Sequence, residues 1–199
     1  MKTLPVILLA LCAFAAEPGK PFFENDEVRV FRALEKSHVK GNFHEHKVNR
    51  VMIYLHDGKQ HFDFKDGRPG VDVTWKKGQI EWSKPEGLHQ PENTGAEDFN
   101  IIEIEIKKPA GPKGPAPSDA LKADPKHYKP ELDNDQVRIF RVKLGPNEKA
   151  KKVTRTHNQV VVYFSGKRAG EAVWETAGSG QLENTGDQPA EIIVVELKS

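Results

Sequence analysis

An internal duplication constrains the fold of this chain more than any other feature of its sequence. The block at 25–32 (NDEVRVFR) returns at 134–141 (NDQVRIFR), and the ENTG block at 92–95 returns at 183–186. Three further pairs of similar blocks follow the same order: 51–55 with 160–164, 78–82 with 170–174, and 101–107 with 192–198. Five matching blocks in one order predict two similar structural units in tandem.

Each repeat has the pattern of short β-strands. Ile102, Ile104 and Ile106 alternate with Glu103 and Glu105, which is the period of two expected of a half-buried strand. Gly-containing turn signals separate such segments at 57–58, 66–67, 93–95 and 165–166. Many short strands at this spacing predict an all-β fold, with a small β-barrel or jelly roll in each repeat.

A Pro/Gly-rich segment separates the two repeats. Residues 109–118 contain four prolines and two glycines, a composition typical of an extended linker. We therefore predict a first barrel over 17–108, a linker over 109–128 and a second barrel over 129–199. A single helical turn is compatible with the segment 120–128.

The N-terminus has the pattern of a secretory signal peptide. Lys2 precedes an apolar run at 4–16 that ends in a small-x-small motif at 13–15, so residues 1–16 are predicted to be cleaved on export to the periplasm or the exterior. The alternative is a buried N-terminal strand or helix. The run is too short to span a bilayer, which needs about 20 apolar residues. Cys12 lies within it, so the mature chain would have no disulfide or thiol chemistry; lipid attachment at Cys12 is the other interpretation.

Charge and motifs exclude several classes of function. The chain has 30 Lys and Arg against 29 Asp and Glu, so no nucleic-acid partner is expected. It contains no phosphate-binding Gly-rich loop, no zinc-finger spacing and no plausible Ser-His-Asp arrangement. A small-molecule ligand is the expected partner, and a homodimer is plausible because such barrels have open strand edges.

A histidine cluster in the first repeat predicts a metal site. His44 and His46 are two residues apart, so on a strand they face the same side. His89 follows a Pro85-x-Gly87 sequence that is expected to form a turn before a later strand. Three imidazoles with open coordination positions suit divalent zinc, iron, manganese, nickel or copper. The alternative is that the three histidines play ordinary structural roles, as is expected of the remaining histidines.

These motifs and the duplication resemble the cupin superfamily. The pattern Gly-x-x-His-x-His at 41–46, followed by Gly-x(6)-Pro-x-Gly-x-His-x(3)-Asn at 78–93, is similar to the two cupin motifs. With the duplication, nearly the whole mature chain resembles a two-domain cupin, or bicupin. The resemblance implies tandem cupin barrels with His44, His46 and His89 as metal ligands.

The first motif departs from the cupin pattern in two ways. Gly41 lies closer to His44 than is usual, and the glutamate ligand that cupins place four or five residues after the second histidine is replaced by Arg50 or Val51. A guanidinium cannot bind a metal, so a three-His site is expected. We hypothesise that Arg50 binds an anionic group of a substrate. A rim salt bridge with Glu45 or Glu103 is the alternative.

Other residues remain open as a fourth ligand, and the second repeat lacks the site. Glu103, Glu105 and His61 could each contribute a ligand from another strand. The repeat alignment places Val153, Arg155 and Gly180 where the first repeat has its three histidines. The second repeat also passes from Gly166 to Gly170 where the first has the long segment 58–78, which predicts a lost hairpin. The second barrel is therefore expected to be structural.

Two classes of function are compatible with these features. One is a metal-dependent enzyme acting on a small molecule, such as a dioxygenase or an isomerase, in which the metal acts as Lewis acid or oxygen-binding centre. The other is a non-catalytic module that binds a metal or a small ligand. The ligand set favours the first, and the missing glutamate and the reduced second repeat favour the second.

Overall fold

A computed structural model describes residues 21–109 and 120–198. The predicted signal peptide and nearly all of the Pro/Gly-rich segment lie outside the described residues. The strands of the first repeat are β1 Pro21–Glu24, β2 Val28–Glu35, β3 His44–His46, β4 Arg50–Tyr54, β5 Gly58–Phe64, β6 Val71–Trp75, β7 Ile80–Ser83, β8 Glu86–Asn93 and β9 Phe99–Ile106. The second repeat contains α1 Ala120–Ala123, β10 Tyr128–Asp133, β11 Val137–Leu144, β12 Val153–Arg155, β13 Gln159–Tyr163, β14 Ala172–Glu175, β15 Gly178–Gly180 and β16 Ala190–Leu197.

The first barrel consists of two antiparallel sheets. One has the strand order β1-β2-β9-β4-β7, and the other has the order β3-β8-β5-β6. Strands β2 and β9 pair without interruption from Val28 opposite Ile106 to Glu35 opposite Phe99. The non-sequential strand order brings β3 and β8 together, although 39 residues separate the end of one from the start of the other. The fold class predicted from the sequence is confirmed.

The second barrel repeats the large sheet and loses half of the small one. Its five-stranded sheet has the order β10-β11-β16-β13-β14, equivalent to that of the first barrel, but its second sheet contains only β12 and β15. The β5–β6 hairpin has no counterpart within the described residues, since Gly166 and Gly170 close a short turn with positive φ angles of 87° and 85°. The predicted loss of a hairpin is confirmed, as is the helical turn, α1, which contacts β10 and β12.

The two five-stranded sheets pack face to face and share one hydrophobic core. From the first barrel this core receives Val28, Val30, Val51, Ile53, Ile102, Ile104 and Ile106; from the second it receives Val137, Ile139, Val160, Val162, Ala172, Ile193, Val195 and Leu197. The apolar face of β9 is therefore buried against the other barrel, while its glutamates face the interior of their own barrel. Because each sheet already covers the other, a homodimer would have to use a different surface.

Equivalent polar contacts cross this interface in both directions, one from each barrel to the other. Arg32 donates a hydrogen bond to the carbonyl of Gly170 at 2.8 Å, and the equivalent Arg141 donates to the carbonyl of Gly78 at 2.6 Å. In the same way, the side chain of Asn158 donates a hydrogen bond to Glu27, and that of the equivalent Asn49 donates one to Gln136. The repeated NDxVRxFR block is thus explained by barrel packing, a role independent of any metal.

The repeated ENTG block is explained by a buried asparagine. The side-chain amide of Asn93 donates to the carbonyls of Glu35 and Glu97 at 3.0 and 2.9 Å, and its oxygen accepts from the Gly95 amide at 2.9 Å. Asn184 makes three similar bonds in the second barrel, to the carbonyls of Gly145 and Gln188 and from the Gly186 amide. This asparagine therefore stabilises the turn in both barrels, including the second barrel, where the histidine cluster is replaced. Within the described residues, no helix is long and apolar enough to cross a membrane.

Candidate metal centre

The structure brings the three predicted histidines together on the four-stranded sheet of the first barrel. His44 and His46 lie on β3, and His89 lies opposite His44 on the neighbouring strand β8. One side-chain nitrogen from each ring lies within 4.8 Å of the others. His89 is only 3% exposed, while His44 and His46 are partly exposed. Three converging nitrogens at the wall of a cavity match the geometry required of a metal centre.

A β-bulge, rather than the expected Pro-x-Gly turn, aims His89 into the barrel. His44 pairs with His89 but His46 pairs with Glu86, so three residue steps on β8 oppose two on β3. Gly87 lies within the strand at this point, and a Cβ there would meet nothing within 4 Å. The extra residue lets Glu86 and His89 both face the same cavity, which a regular strand would forbid at this spacing.

Hydrogen bonds to the Nδ1 atoms leave the Nε2 atoms free to bind a metal. His44 Nδ1 lies 2.9 Å from the Asn42 carbonyl oxygen, and His89 Nδ1 lies 2.9 Å from that of Gly87. A carbonyl can only accept, so Nδ1 carries the proton in both neutral rings. The carboxylate of Glu105 lies 4.0 Å from His46 Nδ1, so it orients that ring less tightly than the carbonyls orient the other two. Such outer partners fix the ring orientation of histidine ligands.

The electrostatics of the cluster favour a neutral His89 ring and an ionised Glu105 carboxylate. Burial lowers the pKa of His89, and the neighbouring His44 and His46 rings lower it further. The neighbouring His46 ring lowers the pKa of Glu105, and the guanidinium of Arg29 lowers it in addition. Both effects favour the protonation states that metal binding requires, because a protonated imidazole has no lone pair to give.

Arg50 lines the same cavity, but its charge is already paired. Its Nη1 atom donates to Glu103 at 2.7 Å, and its Nη2 atom donates to Ser83 at 3.0 Å. Arg50 and Glu103 are each 6% exposed, so the salt bridge is buried inside the barrel rather than placed on its rim. Glu103 is one of the two partners expected from the sequence. The Nε atom of Arg50 is buried without a hydrogen-bond partner.

The alternative fourth ligands lie in other environments. Glu103 is held by Arg50, and Glu105 lies behind His46 instead of beside its free nitrogen. His61 pairs with Asp72 and Asp63 on the β5–β6 hairpin. Within residues 21–109 and 120–198, His44, His46 and His89 form the group whose ligand atoms converge.

The cluster opens onto a cavity of about 320 Å³ inside the first barrel. One part of its wall is apolar or aromatic: Met52, Tyr54, Phe62, Phe64, Val71, Val73, Trp75 and Ile101. Tyr54 and Trp75 stack at 4.3 Å between ring centroids. The remaining wall is polar, and it includes residues that sequence reasoning missed: Glu35, Gln60, Arg68, Glu81, Ser83 and Glu86. A cavity of this size accommodates a small organic molecule next to the histidines.

The second barrel has neither the cluster nor the cavity wall. Val153 lies opposite Gly180 where His44 lies opposite His89, and Arg155 lies opposite Gly178 without the bulge of the first barrel. The guanidinium of Arg155 occupies the space beside Gly180, where any Cβ would clash with it. The interior is filled by apolar side chains: Tyr128, Phe140, Val142, Leu144, Val153, Val161, Tyr163, Leu182, Ile192 and Val194.

Comparison with known proteins identifies the fold. No family model and no curated protein sequence matches the chain. Among solved structures, AerE from Microcystis aeruginosa is similar at 14% identity and a TM-score of 0.62, over 90% of this chain and 97% of that one. A cupin 2 conserved barrel domain protein from Leptotrichia buccalis matches at 10% identity and TM-score 0.55, over 93% and 92% of the two chains. Oxalate decarboxylase from Bacillus subtilis matches at 12% identity and TM-score 0.59, over 87% and 68%. The chain has the cupin fold in its two-barrel form.

Proposed function

We propose that this bicupin binds one divalent transition metal through Nε2 of His44, His46 and His89, and that a small molecule binds beside the metal in the first barrel. The observation that carries the proposal is the convergence of three imidazoles, with Nδ1 of His44 and His89 committed to carbonyl acceptors, at the wall of a cavity of about 320 Å³. Iron, manganese, zinc, nickel and copper all accept such ligands.

The proposed chemistry is that of an open metal site. A divalent metal with three protein ligands supplies a Lewis acid with free coordination positions, as needed by a dioxygenase or an isomerase. The chain itself orients the histidines and encloses the reactants with Tyr54, Phe62 and Trp75. The same site without turnover would make the protein a small-ligand or metal-binding module, and only assays of the loaded protein separate these two functions.

Metal analysis of the purified full chain tests the proposal directly. We expect about one equivalent of metal per chain, its loss in His44→Ala and His89→Ala, and its retention in the control His56→Ala, because His56 is exposed and outside the cluster. Metal content that is unchanged in both cluster variants would rule out the site. Oxygen uptake of the loaded protein with small carbonyl and phenolic compounds then tests turnover.

Export to the periplasm or the exterior is part of the proposal. It predicts that the mature protein begins near residue 17, which N-terminal sequencing of the secreted or periplasmic protein would establish. A mature chain that still begins at Met1 would contradict it.

A further inference from the structure

The charged residues of the cavity carry a further inference, which rests on the proposed function for the identity of the pocket. Four carboxylates and two guanidiniums line the cavity. Arg50 is paired with Glu103 at 2.7 Å, and Arg68 with Glu86 at 2.9 Å. These two pairs cancel, and two acidic side chains remain without a cationic partner in the wall.

The remaining carboxylates, Glu35 and Glu81, contact only neutral donors. Glu35 accepts a hydrogen bond from Gln60 Nε2 at 2.7 Å, and Glu81 accepts one from the Tyr54 hydroxyl at 2.8 Å. Neither belongs to the converging metal-ligand group. A carboxylate has about four acceptor positions, so each retains capacity for a donor supplied by a ligand.

The second barrel serves as an internal control for these residues. Its β-sheet has the same register, since Met52 lies opposite Glu81 and Glu103 where Val161 lies opposite Val173 and Val194. In the same way, Leu144 occupies the position equivalent to Glu35. The fold therefore accepts apolar residues at all three positions. Burying carboxylates costs free energy, so the first barrel does not carry them for stability.

We infer that Glu35 and Glu81 hold a small molecule that donates hydrogen bonds through an amine or a hydroxyl group, and that the pocket disfavours anionic ligands. A divalent metal would balance the two unpaired carboxylates, and an anionic ligand would then leave the site with a net negative charge. Arg50 offers such a ligand little, because Glu103 already neutralises it. The aromatic residues Phe62 and Trp75 supply a surface for the apolar body of the ligand, and cations bind well over such rings.

A matched set of ligands tests the inference: benzylamine, benzyl alcohol and benzoate share one body and differ in the donating group and the charge. Their Kd values are measured by calorimetry on zinc-loaded wild type and on the His44→Ala/His89→Ala variant, which removes direct metal coordination of benzoate. In the variant, we expect benzylamine to bind most tightly and benzoate most weakly. The double substitution Glu35→Gln/Glu81→Gln, which keeps side-chain shape, should weaken benzylamine roughly tenfold or more and should not weaken benzoate.

The control is Glu97→Gln, which removes an exposed carboxylate of the same barrel outside the cavity and should leave all three Kd values unchanged. Three results overturn the inference: benzoate binding at least as tightly as benzylamine to the histidine variant, an unchanged benzylamine Kd in the double glutamine variant, or no binding of any of the three at about 1 mM. A wild-type protein that takes up no zinc but still prefers benzylamine to benzoate would contradict the proposed function and support this inference.

Discussion

The buried salt bridge between Arg50 and Glu103 makes a quantitative prediction, for which the second barrel supplies the replacement residues. Gln159 and Val194 occupy the equivalent positions there. Both members of the pair are 6% exposed and 2.7 Å apart, so removing one strands the other in a low-dielectric interior. Arg50→Gln alone should therefore cost about 3–5 kcal/mol of unfolding free energy.

The double variant Arg50→Gln/Glu103→Val should recover most of that loss, to within about 1 kcal/mol of wild type, because neither charge then remains buried. Urea unfolding monitored by circular dichroism and by tryptophan fluorescence gives all four corners of the double-mutant cycle. The exposed pair Lys36–Asp98, also 2.7 Å apart, is the matched control and should couple by less than about 1 kcal/mol. Additive effects of Arg50→Gln and Glu103→Val would refute the reasoning.

Three further predictions concern single positions. Asn93→Ala and Asn184→Ala should each lower the unfolding free energy by about 2–3 kcal/mol in urea, because each strands two carbonyls and one amide; a large effect at Asn93 alone would contradict their equivalence. Glu105→Gln should weaken Zn²⁺ binding roughly tenfold by calorimetry, since it loosens His46, and an unchanged affinity would remove Glu105 from the metal centre. Burial raises the pKa of Glu35, so the folded state holds that proton more tightly than the unfolded state and loses stability as pH rises above the usual carboxyl range. Glu35→Leu should therefore raise the Tm at neutral pH but not in acid, and equal Tm values at neutral pH would contradict this.

The fold could be predicted from the sequence because duplication and alternation are local signals that each repeat reports independently. The lost hairpin follows from the short distance between Gly166 and Gly170 alone. Alternation could not indicate which face of a strand is inside. The alternation predicted that β9 is half-buried, but its isoleucines pack against the second barrel and Glu103 is buried inside the first, so both faces are covered. A period of two shows that a strand has two different faces, but what each face packs against depends on the tertiary structure.

The histidine cluster could be predicted because it combines a same-face pair with one histidine in a recognisable motif. The bulge at Gly87 could not, because the extra residue depends on how β8 pairs with β3. The acidic wall was also missed, since Glu35 and Glu81 lie on strands far apart in sequence and neither belongs to a motif. Comparing the two repeats position by position could have revealed it: a glutamate in one copy and an aliphatic residue in the other, at a position facing the barrel interior, indicates a functional cavity.

The two barrels differ in how their interiors are filled, and this difference bears on their stability. The first barrel has a small interior core of Met52, Tyr54, Trp75, Phe99 and Ile101, and all of these except Phe99 also line the cavity with its charged and polar groups. A unit of this size buries only a modest share of its surface, and polar groups in its interior reduce its hydrophobic stabilisation further. The second barrel offsets that deficit in two ways. Apolar side chains fill its interior, and its large sheet covers the apolar face of the first barrel. The copy without the three histidines is thus the one whose interior is filled with apolar side chains, and the copy that has them is the one with the cavity.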